Sequence, residues 1–522
     1  MGLEENTWEP ILVAQDARRP GRRWGAVGLA VGLVAVVLAA GLYVTLPAHP
    51  AASVVPAVTA TISVNASAVV AELPAGFLGS NVGSRVALGA SDAAVLGATP
   101  ITALRWPGGS TADEMNYTSG LITDDEGQTT VAAENVSAFV GFCRSLACEA
   151  ILQLPGEIDD PATAAYYVAY TERTLGFTPA YWEIGDEPSL WTHFGIPWSA
   201  WNPTQSTNAT PASYAALVHA YIAAIRTVDP AARVVGLPGV GTGVFGETTW
   251  LTATVRENGP NLSAVGIHVY PAGNPPPGPA TLTDFYSNLS GPRSIAARVP
   301  ADRAAIAAAC PACGPIPLLV TEFGSGIEGG SFDAFVDGFP QVPFLASELI
   351  QMMTLNVSAA VVYEFESTRG GAFLDPGGPT FPLYGLYQGL LDRLPSEVIA
   401  SSVRSSATGL FVLAARDGAG TETALLLDNA NATTPIAVNL TGSGFPAGAP
   451  GSAWSYAAGD AAPVPAGTGD LNARWTVAPQ SVLLIVAAPF GSVPGIAGTP
   501  SGAGAISGAS APVPLAARPA EE

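Results

Sequence analysis

The sequence predicts an α/β fold: a (β/α)8 TIM barrel with an appended all-β sandwich domain and an N-terminal transmembrane helix. Three observations carry this. Eight short apolar runs alternate with helix-like stretches between residues 76 and 392. From residue 393 to 490 the pattern changes to alternating β runs separated by turn residues. Ahead of both lies an uncharged apolar stretch, "WGAVGLAVGLVAVVLAAGLYVTL" (24–46), of bilayer-spanning length.

The chain is taken in order. Arg18, Arg19, Arg22 and Arg23 precede the apolar stretch and no basic cluster follows it. The positive-inside rule therefore puts residues 1–23 in the cytoplasm and everything after residue 47 outside. A cleaved signal peptide is the alternative, since "AHPAAS" (48–53) offers small residues to a peptidase; a cleavable apolar region is usually about 7–15 residues, shorter than this one. Residues 47–75 read as a linker whose run "AVTATISVNASAVVAEL" (57–73) adds strands to the sandwich.

The barrel strands read "GFLGSNV" (76–82), "ITALRW" (101–106), "EAILQL" (149–154), "PAYWEIG" (179–185), "ARVVGLP" (232–238), "SAVGIHVY" (263–270), "IPLLVTEF" (316–323) and "AAVVYEF" (359–365). A doubly wound sheet is the competing arrangement, but no dinucleotide-spaced glycine loop follows the first run. Residues 491–522 are rich in Gly, Ala, Pro and Ser and are expected to be a disordered tail.

Composition narrows the function. Net charge is −22 and all 20 basic residues are Arg, which argues against a nucleic-acid partner. Nine N-x-[ST] sequons begin at Asn65, Asn116, Asn135, Asn208, Asn261, Asn288, Asn356, Asn431 and Asn439, all after the apolar stretch, and suggest glycosylation outside the cell. The four cysteines form two close pairs, Cys143/Cys148 and Cys310/Cys313. In an oxidising compartment these read as two local disulfides; a shared four-cysteine zinc site is the alternative.

Chemistry gathers at the strand ends. Asn81, Arg105, Glu187, His268 with Tyr270, Glu322, and Glu364 with Glu366 all terminate apolar runs, which is the C-terminal face where barrel active sites sit. Hydrolysis of a glycosidic bond needs a protonated carboxyl and an ionised one. Glu187 and Glu322 would face one barrel mouth, and Asp186 beside Glu187 would raise the pKa of an acid. The blander readings stay open. Arg105 could only neutralise Glu183, His268 could be a core histidine, Trp182 and Trp191 could be packing, and Glu364 and Glu366 could pair with Arg369.

"YWEIGDEPSLW" (181–191), "HVY" (268–270), "TEFGSG" (321–326) and "LRWPGG" (104–109) together resemble the retaining glycoside hydrolases of clan A, closest to glycoside hydrolase family 79, the heparanase and β-glucuronidase group. "RWPGG" also looks like the family 51 arabinofuranosidases. The resemblance spans residues 57–490 and implies an enzyme acting on polysaccharide or glycan without a metal or other cofactor. It implies Glu187 as acid/base and Glu322 as nucleophile, with Asn81, Arg105, Asp186, His268, Tyr270 and Glu366 around the substrate. The clan has Asn where this chain has Asp186. An ionised Asp only accepts hydrogen bonds, so an acidic pH optimum is expected if the enzyme is active. A catalytically silent glycan-binding barrel and a transglycosidase are the alternatives.

Overall fold

The computed structural model describes residues 58–487 apart from 124–127, 158–159, 196–206, 237–246, 274–279, 327–331, 368–370, 377–379, 444–449 and 471–473. The expected membrane segment 24–46, the 491–522 tail and Arg369 lie outside the described residues. Among the described residues, no helix is long and apolar enough to cross a membrane.

Eight parallel strands close into a barrel: Leu78–Asn81, Ala103–Trp106, Glu149–Leu154, Tyr181–Ile184, Val234–Gly236, Ala264–Val269, Leu318–Phe323 and Ala359–Val362. The eighth pairs with the first through Ala360 and Leu78, which removes the open edges a doubly wound sheet would keep. Each strand falls inside one of the apolar runs. Side chains alternate between two environments, as a period of two requires. Leu104, Leu152, Trp182, Ile184 and Ile267 face the surrounding helices, while Ile151, Val235, Ala264, Leu319 and Val361 fill the barrel interior.

Following the inward positions upward explains where the chemistry comes from. Ile151 is succeeded two residues on by Gln153, Ala103 by Arg105 and Tyr181 by Glu183, all buried. The seventh strand would bring Thr321 inward after Leu319, but its register slips between Val320 and Glu322. Irregularities of this kind re-aim a side chain, and here the one re-aimed is Glu322.

The second unit of structure is a nine-stranded sheet. Its order is Val464–Asp470, Pro450–Ala457, Ser481–Ala487, Thr423–Asn429, Leu410–Arg416, Glu397–Ser405, Val58–Glu72, Ile436–Ser443 and Trp475–Val477. The strands form one continuous hydrogen-bonded sheet rather than two separate ones. It curls so that Ile62, Leu425, Val438, Val477 and Ile485 share one core, giving the sandwich-like section the alternating pattern implied. The early run joins it as the 15-residue strand Val58–Glu72, parallel to Ile436–Ser443 and antiparallel to Glu397–Ser405.

The opposite face of that sheet, through Leu413, Leu426 and Leu484, joins the barrel's own core. Between them lies the helix Gln341–Thr354, buried at every residue but the last. A helix apolar on all sides belongs between two layers. It carries one misfit, Glu348, which is wholly buried with no protein hydrogen bond to either oxygen and whose pKa burial pushes well up.

The cysteines form two disulfides, Cys143–Cys148 and Cys310–Cys313. Each joins the end of a helix to the approach of the next barrel strand, at the N-terminal face, so no four-cysteine zinc site forms. Several sequon asparagines have local structural work. Asn135 caps the helix Val136–Leu146, and Asn65, Asn116 and Asn431 accept hydrogen bonds from Ser67, Ser119 and Thr433.

Candidate active site

Six of the expected residues meet at the C-terminal mouth of the barrel, with Asn81 beneath them. Arg105 is the hub. Its Nε and Nη2 reach Glu183 Oε1 at 2.7 and 2.6 Å, and Nη2 also reaches Asp186 Oδ1 at 2.7 Å. Its Nη1 donates to Asn81 Oδ1 at 2.8 Å and to Glu322 Oε1 at 2.6 Å. Arg105 therefore neutralises Glu183 and also orients Glu322. Burial works against its charge, but the three carboxylates outweigh it and hold its pKa well above the ordinary value.

The other oxygen of Glu322 accepts from Tyr270 Oη at 2.7 Å. Both oxygens of this carboxylate are thus fixed, one by a guanidinium and one by a hydroxyl. Asn81 is fully buried and lies beneath the site, where its Nδ2 donates to the carbonyl of Thr321 at 3.0 Å. It braces the seventh strand and Arg105 rather than facing the mouth.

Glu187 stands opposite. Its Oε1 lies 2.9 Å from His268 Nδ1, and the same nitrogen lies 3.4 Å from Glu322 Oε2. Burial raises the pKa of Glu187; the hydrogen bond from His268 pulls the other way, and the charges of Asp186 and Glu322 add to the rise. His268 is wholly buried, which alone would lower its pKa, yet Glu322, Glu187 and Asp186 push it up to about 9. It is a charged part of the site, not a core histidine.

Local backbone geometry aims Glu187. It precedes Pro188, which disfavours right-handed helical backbone, and it adopts φ 40°, ψ 60° in the left-handed region. Gly185, at φ 71°, gives the turn its freedom, and a Cβ there would stand 2.4 Å from Trp191. Trp191 is buried, stacked on Phe194 at 5.8 Å and edge-on to Tyr214 at 5.7 Å. Trp182 is buried too, with Nε1 donating to Glu172. Both tryptophans are packing residues.

Glu366 is not brought into this cluster. It bridges to Leu374 in the loop after the eighth strand, and its charged neighbours are Asp92 and Asp375. Three participants were not among the expected residues. Gln153 donates to Asp186 Oδ1 at 3.2 Å, Asp113 grips the segment before Glu187, and Tyr363 lies against Gly109 with its hydroxyl pKa raised by Glu364 and by burial. An aromatic at the end of the eighth strand was the readable hint for Tyr363. Asp186, His268 and Glu322 bring one ligand atom each within 4.8 Å of one another. A fixed cation already sits against two of them, the Arg105 guanidinium.

Solved structures similar to this chain include arabinofuranosidases and a xyloglucanase. A family 51 α-L-arabinofuranosidase from Bifidobacterium longum is 17% identical, with TM-score 0.65, over 82% of this chain and 99% of that one. An α-L-arabinofuranosidase from Thermotoga maritima is 13% identical, with TM-score 0.65 and the same shares. A family 44 xyloglucanase from Paenibacillus polymyxa is 12% identical, with TM-score 0.63, over 82% and 99%. This chain shares their fold. No protein-family model matches it, and no curated protein sequence matches it.

Proposed function

We propose that the chain is a retaining glycoside hydrolase of clan A that cleaves glycosidic bonds in polysaccharides or glycans. The observation that carries this is the pairing of Glu187 and Glu322 across His268 Nδ1. Their nearest oxygens can be no further apart than the two distances to that nitrogen together, about 6.3 Å. Oxygens this near suit the retaining spacing of about 5–5.5 Å between carboxyl groups better than the roughly 6.5–9.5 Å of inverting pairs.

In the first step Glu322, held by Arg105 and Tyr270, attacks the anomeric carbon. The bond to the leaving oxygen breaks as Glu187 gives that oxygen its proton. In the second, Glu187 takes a proton from water, whose oxygen displaces Glu322 from the sugar. Burial favours a Glu187 that keeps its proton for the first step.

Within the clan, an arabinofuranosidase-like activity is favoured over a glucuronidase-like one. "RWPGG" and the likeness to family 51 structures support it. So does charge: Arg105 is wholly buried and committed to three carboxylates, leaving it no donor for a substrate carboxylate. The apolar stretch 24–46, the Arg cluster before it and two disulfides support an anchored enzyme with its barrel outside the cell.

Asp186 favours a second reading, a silent glycan-binding barrel. Its Oδ1 is taken by Arg105 and Gln153, and a carboxylate has no N–H for a sugar hydroxyl. Incubation of residues 50–490 with aryl arabinofuranosides, xylosides and glucuronides between pH 4 and 9 separates the readings. Turnover with retained configuration, abolished by Glu322→Gln, is expected. Binding without turnover of any substrate would replace the enzyme with the silent module.

A further inference from the structure

We propose that Asp113 is a positioning residue that holds the acid/base Glu187 in its left-handed conformation; this rests on the reading of Glu187 given above. Asp113 is 1% exposed and belongs to the loop after the second barrel strand, yet its carboxylate accepts hydrogen bonds from the loops after the third and fourth. Its Oδ1 accepts from the Gly156 N–H at 2.8 Å. Its Oδ2 accepts from the Asp186 N–H at 2.9 Å and from Trp191 Nε1 at 2.9 Å. One buried carboxylate thus fixes the residue before Glu187 and the indole four residues after it.

The same indole N–H is shared with a second acceptor. Trp191 Nε1 also donates to the Asp186 carbonyl at 2.7 Å, closing a loop around Glu187 and Pro188. The ring lies so close to Gly156 and Gly185 that a Cβ on either would meet it at 2.4 Å. The indole therefore cannot move toward those loops, and the carboxylate stops it moving away. A glutamate at φ 40° needs such restraint, because L-residues other than Gly, Asn and Asp seldom rest there. Released, Glu187 would relax toward extended backbone and its carboxyl would leave His268 and the mouth.

A positioning role makes a selective demand. Loss of a well-placed proton donor slows expulsion of a poor leaving group and scarcely affects one that departs as a stable anion. General acid assistance is worth about 10²–10⁴-fold. The test compares Asp113→Asn and Asp113→Ala on benzyl and 2,4-dinitrophenyl α-L-arabinofuranoside, with thermal melts and a crystal structure of the Asn variant. Asn keeps one acceptor oxygen and so guards against a variant that does not fold. The expected result is a kcat loss of about 100-fold or more on the benzyl substrate and under about 10-fold on the dinitrophenyl one, with KM little changed. In the crystal, Glu187 should have left positive φ and its contact with His268. Equal losses on both substrates in a folded variant would overturn the proposal, as would an unmoved Glu187. If the parent protein turns over neither substrate, the enzymatic reading fails, and the crystal structure still decides what Asp113 holds.

Discussion

Arg105 Nη1 lies 2.6 Å from Glu322 Oε1, joining the second strand of the barrel to the seventh. Both groups are buried, so the interaction acts with little screening. Arg105→Ala would strand Glu183, Asp186 and Glu322 without their counter-charge. Breaking a buried pair in this way costs about 3–5 kcal/mol. The expected result is loss of activity with a lower urea midpoint at pH 7. The deficit should shrink as pH falls and the carboxylates take up protons. A pH-independent deficit would show that Arg105 matters only for packing.

Asp186→Asn tests the electrostatics of the acid/base. The charge of Asp186 is one of the influences raising both Glu187 and His268. Removing it lowers both, so Glu187 gives up its proton at lower pH. The alkaline limb of kcat/KM should move acidward.

His268 links the site to stability. Its folded-state pKa of about 9 lies above the ordinary 6.5, so the contribution is complete below pH 6.5 and is lost as pH rises through about 9. Its size is on the order of 3 kcal/mol. Urea unfolding of the parent between pH 6 and 9.5 should show this slope, and His268→Gln should flatten it.

Glu348 adds a loss of stability that begins at lower pH. Its carboxyl is buried without a protein partner, and burial keeps its folded pKa well above the usual range. Stability is therefore lost as pH rises from the unfolded value near 4.3 upward. Glu348→Gln should be more stable than the parent at pH 8 by about 1–3 kcal/mol, with activity unchanged. Melting curves at pH 5 and pH 8 would show it.

The disulfides close short loops, separated by 5 and 3 positions. Loops of that size stabilise by about 2 kcal/mol each on chain-entropy grounds. Replacing either pair by alanines should lower the melting temperature while leaving kcat intact, since both lie at the face opposite the glutamates. Labelling of the native protein should find almost no free thiol.

The eight strands were legible because short apolar runs alternate with helical stretches and six of the eight end in something chemical, and Glu187 and Glu322 were legible because carboxylates are scarce in such runs. What stayed hidden depends on registers and partners far apart in the chain. The slip after Val320 that turns Glu322 inward leaves no trace in composition. Asp113 meets Asp186 from 73 positions away, and nothing local marks it. Glu366 shows the limit of reading strand ends, because a carboxylate there looks the same in sequence whether its neighbours are the glutamate pair or Asp92.

The strand Val58–Glu72 sets a timetable for synthesis. Ser63 and its partner Thr441 are 378 positions apart, so the first strand made needs one of the last. At about 5–20 residues per second a ribosome takes roughly 20–80 s to bridge that gap. Until its partner Glu397–Ser405 is made, a 15-residue strand rich in Val and Ala waits with both edges unpaired while the whole barrel is made. The nascent chain is most exposed to aggregation at its beginning, and a chaperone that shelters residues 58–72 would do most to raise the yield of folded protein.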